Sequence, residues 1–274
     1  MDQSKRVDIF EQLGRLSPKE SIYDEMESSK ILENVIGFVP TSDGADTNLL
    51  VANLGVHLAG RGLSVCILDA NVFFPSVYKV IDCETTPKGK GLLSVLRSDK
   101  LDYREEFLKT RFKNLYLMSA SLLDPLEEYL DIKEEDYERV IFQLKEIFDL
   151  VLVCIPNNPP LEFCYVSIKS CDMGFMVWTE RADCPLNSSR LMQFLSSINI
   201  GVSKFANVII NNEIGVNFDK EVISEMNLKL IAEFPLVPSA IDLSLEGKVY
   251  INESSVMDKR YKKALTRLAD LIEG

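Results

Sequence analysis

Most residues arranged for chemistry lie in one short segment, TSDGADTN at 41–48, between an apolar run at 35–39 and a helical pattern from residue 48. The start of a helix leaves backbone N–H groups without partners, so such a turn attracts an anion or is closed by a side-chain oxygen. Asp43 and Asp46 place carboxylates beside those groups, and an Asp there caps the helix using its positive end. Asp69 ends a second apolar run, Cys154 stands near the end of a third, and Asn211 closes a later one. In an open parallel sheet, ligands bind beyond the carboxyl ends of the strands, which makes the first of these turns the place to look. Other chemistry is sparse. His57 is the single histidine and sits inside a helical pattern, so no Ser-His-Asp or Cys-His pair can be built around it. Six cysteines, Cys66, Cys83, Cys154, Cys164, Cys171 and Cys184, form no C-x-x-C pair and read as reduced core residues, not as a disulfide frame or metal site.

From Val35 onward, short β-rich apolar runs alternate with longer segments of helical period, the pattern of crossover units. Strands are predicted at 35–39, 64–68, 114–118, 150–155, 173–179, 207–211 and 229–234, and helices at 48–60, 92–97, 134–148, 186–198 and 257–272. The strands are mostly apolar without alternation, as expected when helices cover both faces. The fold class is therefore α/β, a mostly parallel sheet of about seven strands with helices on both sides. Residues 1–34 are polar, with Val7, Phe10 and Leu13 at helical spacing, and read as an N-terminal arm; 35–274 reads as one domain.

The run VIGFVPTSDGADTNLLVANLGVHLAGRGLSVCILDAN resembles the opening of the MinD/ParA group of P-loop ATPases, and PSVYKVI and GLLSVL resemble segments that follow in that group. Anchoring on Ala52, Asn53, Leu54 and Gly55 lays the family's phosphate loop, usually KGGVGKT, on Ser42, Asp43, Gly44, Ala45, Asp46, Thr47 and Asn48. Of these, Gly44 alone matches. The resemblance implies that Ser42 stands for the signature lysine, which reaches across the dimer, and Thr47 for the main P-loop lysine. Asn48 stands for the magnesium-ligating hydroxyl. Asp69 keeps the first acid of the family's Asp-x-Asp pair, whose second acid becomes Asn71. Cys154, in FDLVLVCIPNNPP, takes the place of the Walker B acid, and a thiol is a poor ligand for a hard cation. GFMVWTERADCPLNSSRLMQFLSSI and FANVIINNE resemble later elements, which gives Asn211 an adenine-contacting role with Pro235 in EFPLVP nearby; Asn also favours turns, so a purely local role stays open. Lys88 and Lys90 in TTPKGKG read as a solvated basic turn.

A formal charge of -12 with 46% hydrophobic residues argues against a protein that wraps nucleic acid. The N-terminus has no apolar signal core and no stretch reaches about 18 apolar residues, so the cytoplasm is the expected compartment. The terminal helical pattern puts Tyr261, Ala264, Leu265, Leu268 and Ile272 on one face. The family docks such a helix on its own sheet, and MinD's membrane anchor lies beyond it, so docking is expected over peripheral membrane contact. The expected function is a non-catalytic MinD/ParA-like interaction, localisation or assembly module, for a pilus, secretion or envelope apparatus by analogy. It would pair with itself as a dimer or with an intact MinD/ParA-like ATPase, and no cofactor is expected. Two readings stay open beside it: a weak ATPase switch holding ATP or ADP with magnesium at an atypical loop, and a DNA-partitioning protein.

Overall fold

A computed structural model describes residues 33–98, 105–158 and 160–274. The arm expected over 1–34 lies outside the described residues but for Glu33 and Asn34. An eight-stranded sheet runs in the order β3-β4-β2-β5-β1-β6-β7-β8. Its strands are β1 (Val35–Pro40), β2 (Val65–Asp69), β3 (Leu108–Lys109), β4 (Leu115–Ser119), β5 (Leu150–Cys154), β6 (Met173–Trp178), β7 (Asn207–Asn211) and β8 (Lys229–Phe234). All neighbours pair in parallel except β3, which adds two antiparallel residues to the edge of β4. That edge strand raises the expected count of about seven to eight; two residues are too few to leave a periodic signal.

β1 lies at the centre because it can be buried from both sides. Ile36 and Phe38 face one apolar layer while Val35 and Val39 face the other. One layer is closed by α1 (Thr47–Gly60), α2 (Val77–Val80), α8 (Pro238–Leu245) and α9 (Lys259–Glu273). The opposite layer is closed by α3 (Leu92–Leu96), α4 (Glu134–Ile147), α5 (Leu161–Ser170), α6 (Asp183–Ser197) and α7 (Glu221–Glu225). Gly37 of β1 pairs with Gly174 of β6. Gly174 makes room for Phe205 in the 3-10 turn Val202–Phe205, since a Cβ there would lie 2.0 Å from its ring, and Gly37 makes room for Cys171 and Ile155, at 2.6 Å and 2.8 Å from where its Cβ would stand.

α9 docks as expected. Tyr261, Ala264, Leu265, Leu268 and Ala269 are buried against β8 and α1, while Lys262, Lys263 and Arg267 face solvent. No described helix is long and apolar enough to cross a membrane.

Candidate functional site

β1 runs into the turn 41–46, and neighbouring strands hold that turn. The Thr41 backbone N–H donates to the Val177 carbonyl at 3.1 Å, and Asn187 Nδ2 donates to the Thr41 carbonyl at 2.7 Å. Ser42 Oγ shares a hydrogen bond of 3.0 Å with Thr179 Oγ1 just past β6. On the other side, Asn211 Nδ2 donates to the Ala45 carbonyl at 3.0 Å, tying the end of β7 to the turn. Asn211 thus has a local structural role in this structure.

Gly44 and Asp46 both take left-handed backbone, with φ of 84° and 33°. Asp46 is the N-cap of α1: its Oδ1 accepts the Leu49 N–H at 3.3 Å. The capping role expected of an acid in this turn is therefore met by Asp46. Burial pushes its pKa up, the Leu49 bond lowers it, the Glu213 charge raises it, and the net shift is upward. Asp43 is exposed. Asn48 Nδ2 donates to Ser76 Oγ, which joins α1 to the loop after β2.

A pocket of about 220 Å³ opens at this turn, lined by Ser42, Asp43, Asp46, Thr47, Asn48 and Cys154 together with Asn71 and Asn157. Lysine, arginine and histidine are missing from its described lining. Thr47 is buried and its Oγ1 has no hydrogen-bond partner. Cys154 is fully enclosed; burial, then the nearby Asp69 charge, drives its thiol pKa well above the usual value, so it is protonated and a poor ligand.

Asp69 is not in the pocket lining. Its carboxylate is fully buried and accepts the backbone N–H groups of Ser76 (2.9 Å), Val77 (3.1 Å) and Asn71 (3.3 Å). Burial outweighs these bonds and pushes its pKa up to about 6. The residue thus fixes the loop after β2. Lys90 pairs with Glu106 at 3.2 Å, and neither it nor Lys88 lines the pocket.

A second cleft of about 400 Å³ lies between Gly44, Asp46, Leu49, Asn211, Pro235 and Tyr261. Asn211 and Pro235 thus line one cleft beside the turn. A third, of about 460 Å³, lies across Pro235; its cations Lys220 and Arg260 are paired with Glu233 and Asp258.

Two acids escaped the sequence reading. Glu213 lays its carboxylate against Gly44, where a Cβ would stand 2.4 Å from Oε1. Glu180 holds that arrangement: its carboxylate accepts the N–H groups of Gly215 (2.7 Å), Glu213 (2.8 Å) and Ile214 (3.3 Å). Burial raises the Glu180 pKa, but these bonds and one from its own N–H outweigh it, and the net shift is downward. No spacing in the sequence marks either contact, because Glu213 joins the loop after β7 to the turn after β1 and Glu180 joins the loops after β6 and β7.

No protein-family profile matches the chain. The septum site-determining protein MinD of Thermotoga maritima is 24% identical over 249 residues, covering 88% of each chain. Among solved structures, MinD of Pyrococcus horikoshii complexed with Mg-ADP aligns at a TM-score of 0.73, with 19% identity, 88% of this chain and 96% of that one. A ParA family ATPase of Chlorobium tepidum aligns at 0.74, with 15% identity, 88% and 98%. The MinC:MinD complex of Aquifex aeolicus aligns at 0.72, with 18% identity, 88% and 96%. The structures show that the chain has the MinD/ParA-type P-loop NTPase fold, and its sequence similarity to MinD runs the length of that fold.

Proposed function

We propose that this protein is a non-catalytic member of the MinD/ParA-type P-loop NTPase family, a cytoplasmic interaction, localisation or assembly module that works through protein partners. The observation that carries the reading is the sign of the pocket: Asp43 and Asp46 line it, Glu213 lies on Gly44, and no described lining residue is a cation. A phosphate-binding turn works by backbone N–H groups and lysine acting together on a polyanion. Each carboxylate about 5 Å from a phosphate opposes it by roughly 3 kcal/mol at an effective dielectric near 20. Asp46 also occupies the Leu49 N–H.

A magnesium nucleotide does not fit these residues. Asp69 is enclosed and spent on three backbone N–H groups, Cys154 is a protonated thiol, and Asn48, whose Nδ2 donates to Ser76, offers only a neutral amide oxygen. Among the described residues no three His, Cys, Asp or Glu side chains are grouped to hold a metal. Phosphoryl transfer depends on positioned charge, so no hydrolytic step is derived through this site. The partner is either a second copy or an intact MinD/ParA-like ATPase; the Aquifex MinC:MinD complex shows that a chain of this fold assembles with another protein.

The second reading, a weak nucleotide switch, draws on the cleft beside Asn211 and Pro235. Calorimetry with ATP and magnesium, followed by a phosphate-release assay, separates the two. The expected result is no binding at micromolar nucleotide and no release; micromolar affinity with turnover defeats the non-catalytic reading.

A further inference from the structure

Asn53, His57 and Arg61 stand four residues apart and share one stripe of α1 and its C-cap. Two of them hold the C-terminal part of the chain. Asn53 Oδ1 accepts the Ile251 N–H at 2.9 Å, in the 3-10 turn Tyr250–Asn252. Arg61 donates to Asp270 at 2.8 Å and to Glu273, both on α9. Between these anchors, His57 has its Nε2 shut off from solvent and without a hydrogen-bond partner among the described residues. We propose that His57 is an acid-operated latch of α9: a proton taken up by its ring loosens the C-terminal helix from α1 while the sheet stays folded.

The chemistry of the ring sets the direction. A neutral imidazole has one N–H, whereas the charged ring has two and no acceptor nitrogen. With α9 docked, the charged form would enclose a donor that has no acceptor, on a helix face that already carries Arg61. Lifting α9 returns the ring to water, so the proton binds the lifted form better and acid populates it.

The charges that act on His57 are Arg61 on its own helix and Glu273, Asp270 and Lys262 on α9. Burial pulls its pKa below the ordinary 6.5, Arg61 lowers it, the two carboxylates raise it, Lys262 lowers it, and the net shift is downward. A depressed value means that docking is favoured above the ordinary value and weakened as pH falls below it. Elsewhere around α1, the 3-10 turn carries Tyr250, whose hydroxyl donates to the Val256 carbonyl at 3.0 Å and accepts the Asp258 N–H at 2.7 Å. On α2, the Lys79 ammonium lies 5.8 Å from the Tyr78 ring.

Topology lets α9 move by itself. No described strand follows it, so it can lift without unpairing the sheet. It also carries Tyr261, which lines the cleft beside the first turn together with Gly44 and Asp46. A lifted α9 would therefore open that cleft.

His57 is the only histidine of the chain, so a single imidazole resonance reports its titration in the unaltered protein. The test follows that resonance and the amide hydrogen exchange of the full chain between about pH 7 and about pH 5, with exchange corrected for its intrinsic pH dependence. Protection over residues 261–273 should fall about tenfold or more, with the same midpoint as the imidazole, while β1 and β5 keep theirs. His57→Gln, neutral throughout, should hold the protection of α9 level. Asp270→Asn with Glu273→Gln should weaken α9 at both ends of the range and move its step to lower pH, because both carboxylates favour the charged ring. Unchanged protection at the acid end, a midpoint apart from that of the imidazole, an equal loss in His57→Gln, or an equal loss in β1 and β5 overturns the inference. Should His57→Gln fail to fold, the agreement or disagreement of the two midpoints in the unaltered chain decides.

Discussion

Asp46 serves α1 as a cap while holding a backbone conformation that few side chains accept. Replacing it with Ala removes the cap and keeps the strained φ, so Asp46→Ala should lower stability by about 1–2 kcal/mol in urea unfolding. Asp46→Gly should lose less, because glycine tolerates left-handed backbone and costs a cap only a few tenths. A larger loss for Gly than for Ala would refute the cap account. Asp69 gives a pH signature. The folded chain holds its proton up to about pH 6, against a usual value of 3.8, so it contributes stability at low pH that is lost as pH rises from about 4 to 6. The loss is at most about 3 kcal/mol. Subtracting the unfolding free energy of Asp69→Asn from that of the wild type, pH by pH, should isolate this slope; a flat difference would show the carboxyl is not so enclosed. The cap was legible in the sequence because it depends on neighbours three residues apart. Glu213 and Glu180 were not, since their contacts join loops separated by more than 30 residues.

At the scale of elements, the long apolar strands were readable because burial on both faces leaves no alternation to confuse. β7 and β8 fall on the expected residues, while β3 is too short to detect. The helix α5 was missed: Phe163, Val166 and Ser167 do stand at helical spacing, but the stripe is short, one of its members is polar, and the helix starts directly after Pro160. The pairing of Gly37 with Gly174 also lay beyond a sequence reading, since it requires the register of β1 against β6. Its consequence is measurable. Gly174→Ala would press a methyl into the Phe205 ring in the middle of the sheet, and overpacking of this kind costs about 1–3 kcal/mol. Adding Phe205→Leu should recover part of that loss by removing the ring edge. If the double variant is less stable than either single one, the two sites do not share the space assigned to them.

At the scale of the molecule, the frame and its first turn point in different directions. The chain aligns with MinD carrying Mg-ADP over 88% of its length, yet the turn at the centre of its sheet carries acids. If charge at this turn is the main barrier to nucleotide, changing the turn alone should lift it. Ser42→Lys, Asp43→Gly, Asp46→Gly, Thr47→Lys and Asn48→Thr together remove two carboxylates and add two cations, terms of roughly 3 kcal/mol each at close range. The five-fold variant should bind magnesium ADP at least a hundredfold more tightly than the wild type in calorimetry, and still release no phosphate from ATP, because Cys154 and the enclosed Asp69 are unchanged. Failure to bind, in a variant whose unfolding remains cooperative, would move the barrier to Glu213 on Gly44; Glu213→Ala added to the five would then restore binding. If even that variant ignores nucleotide, the frame has diverged in more than the sign of one turn.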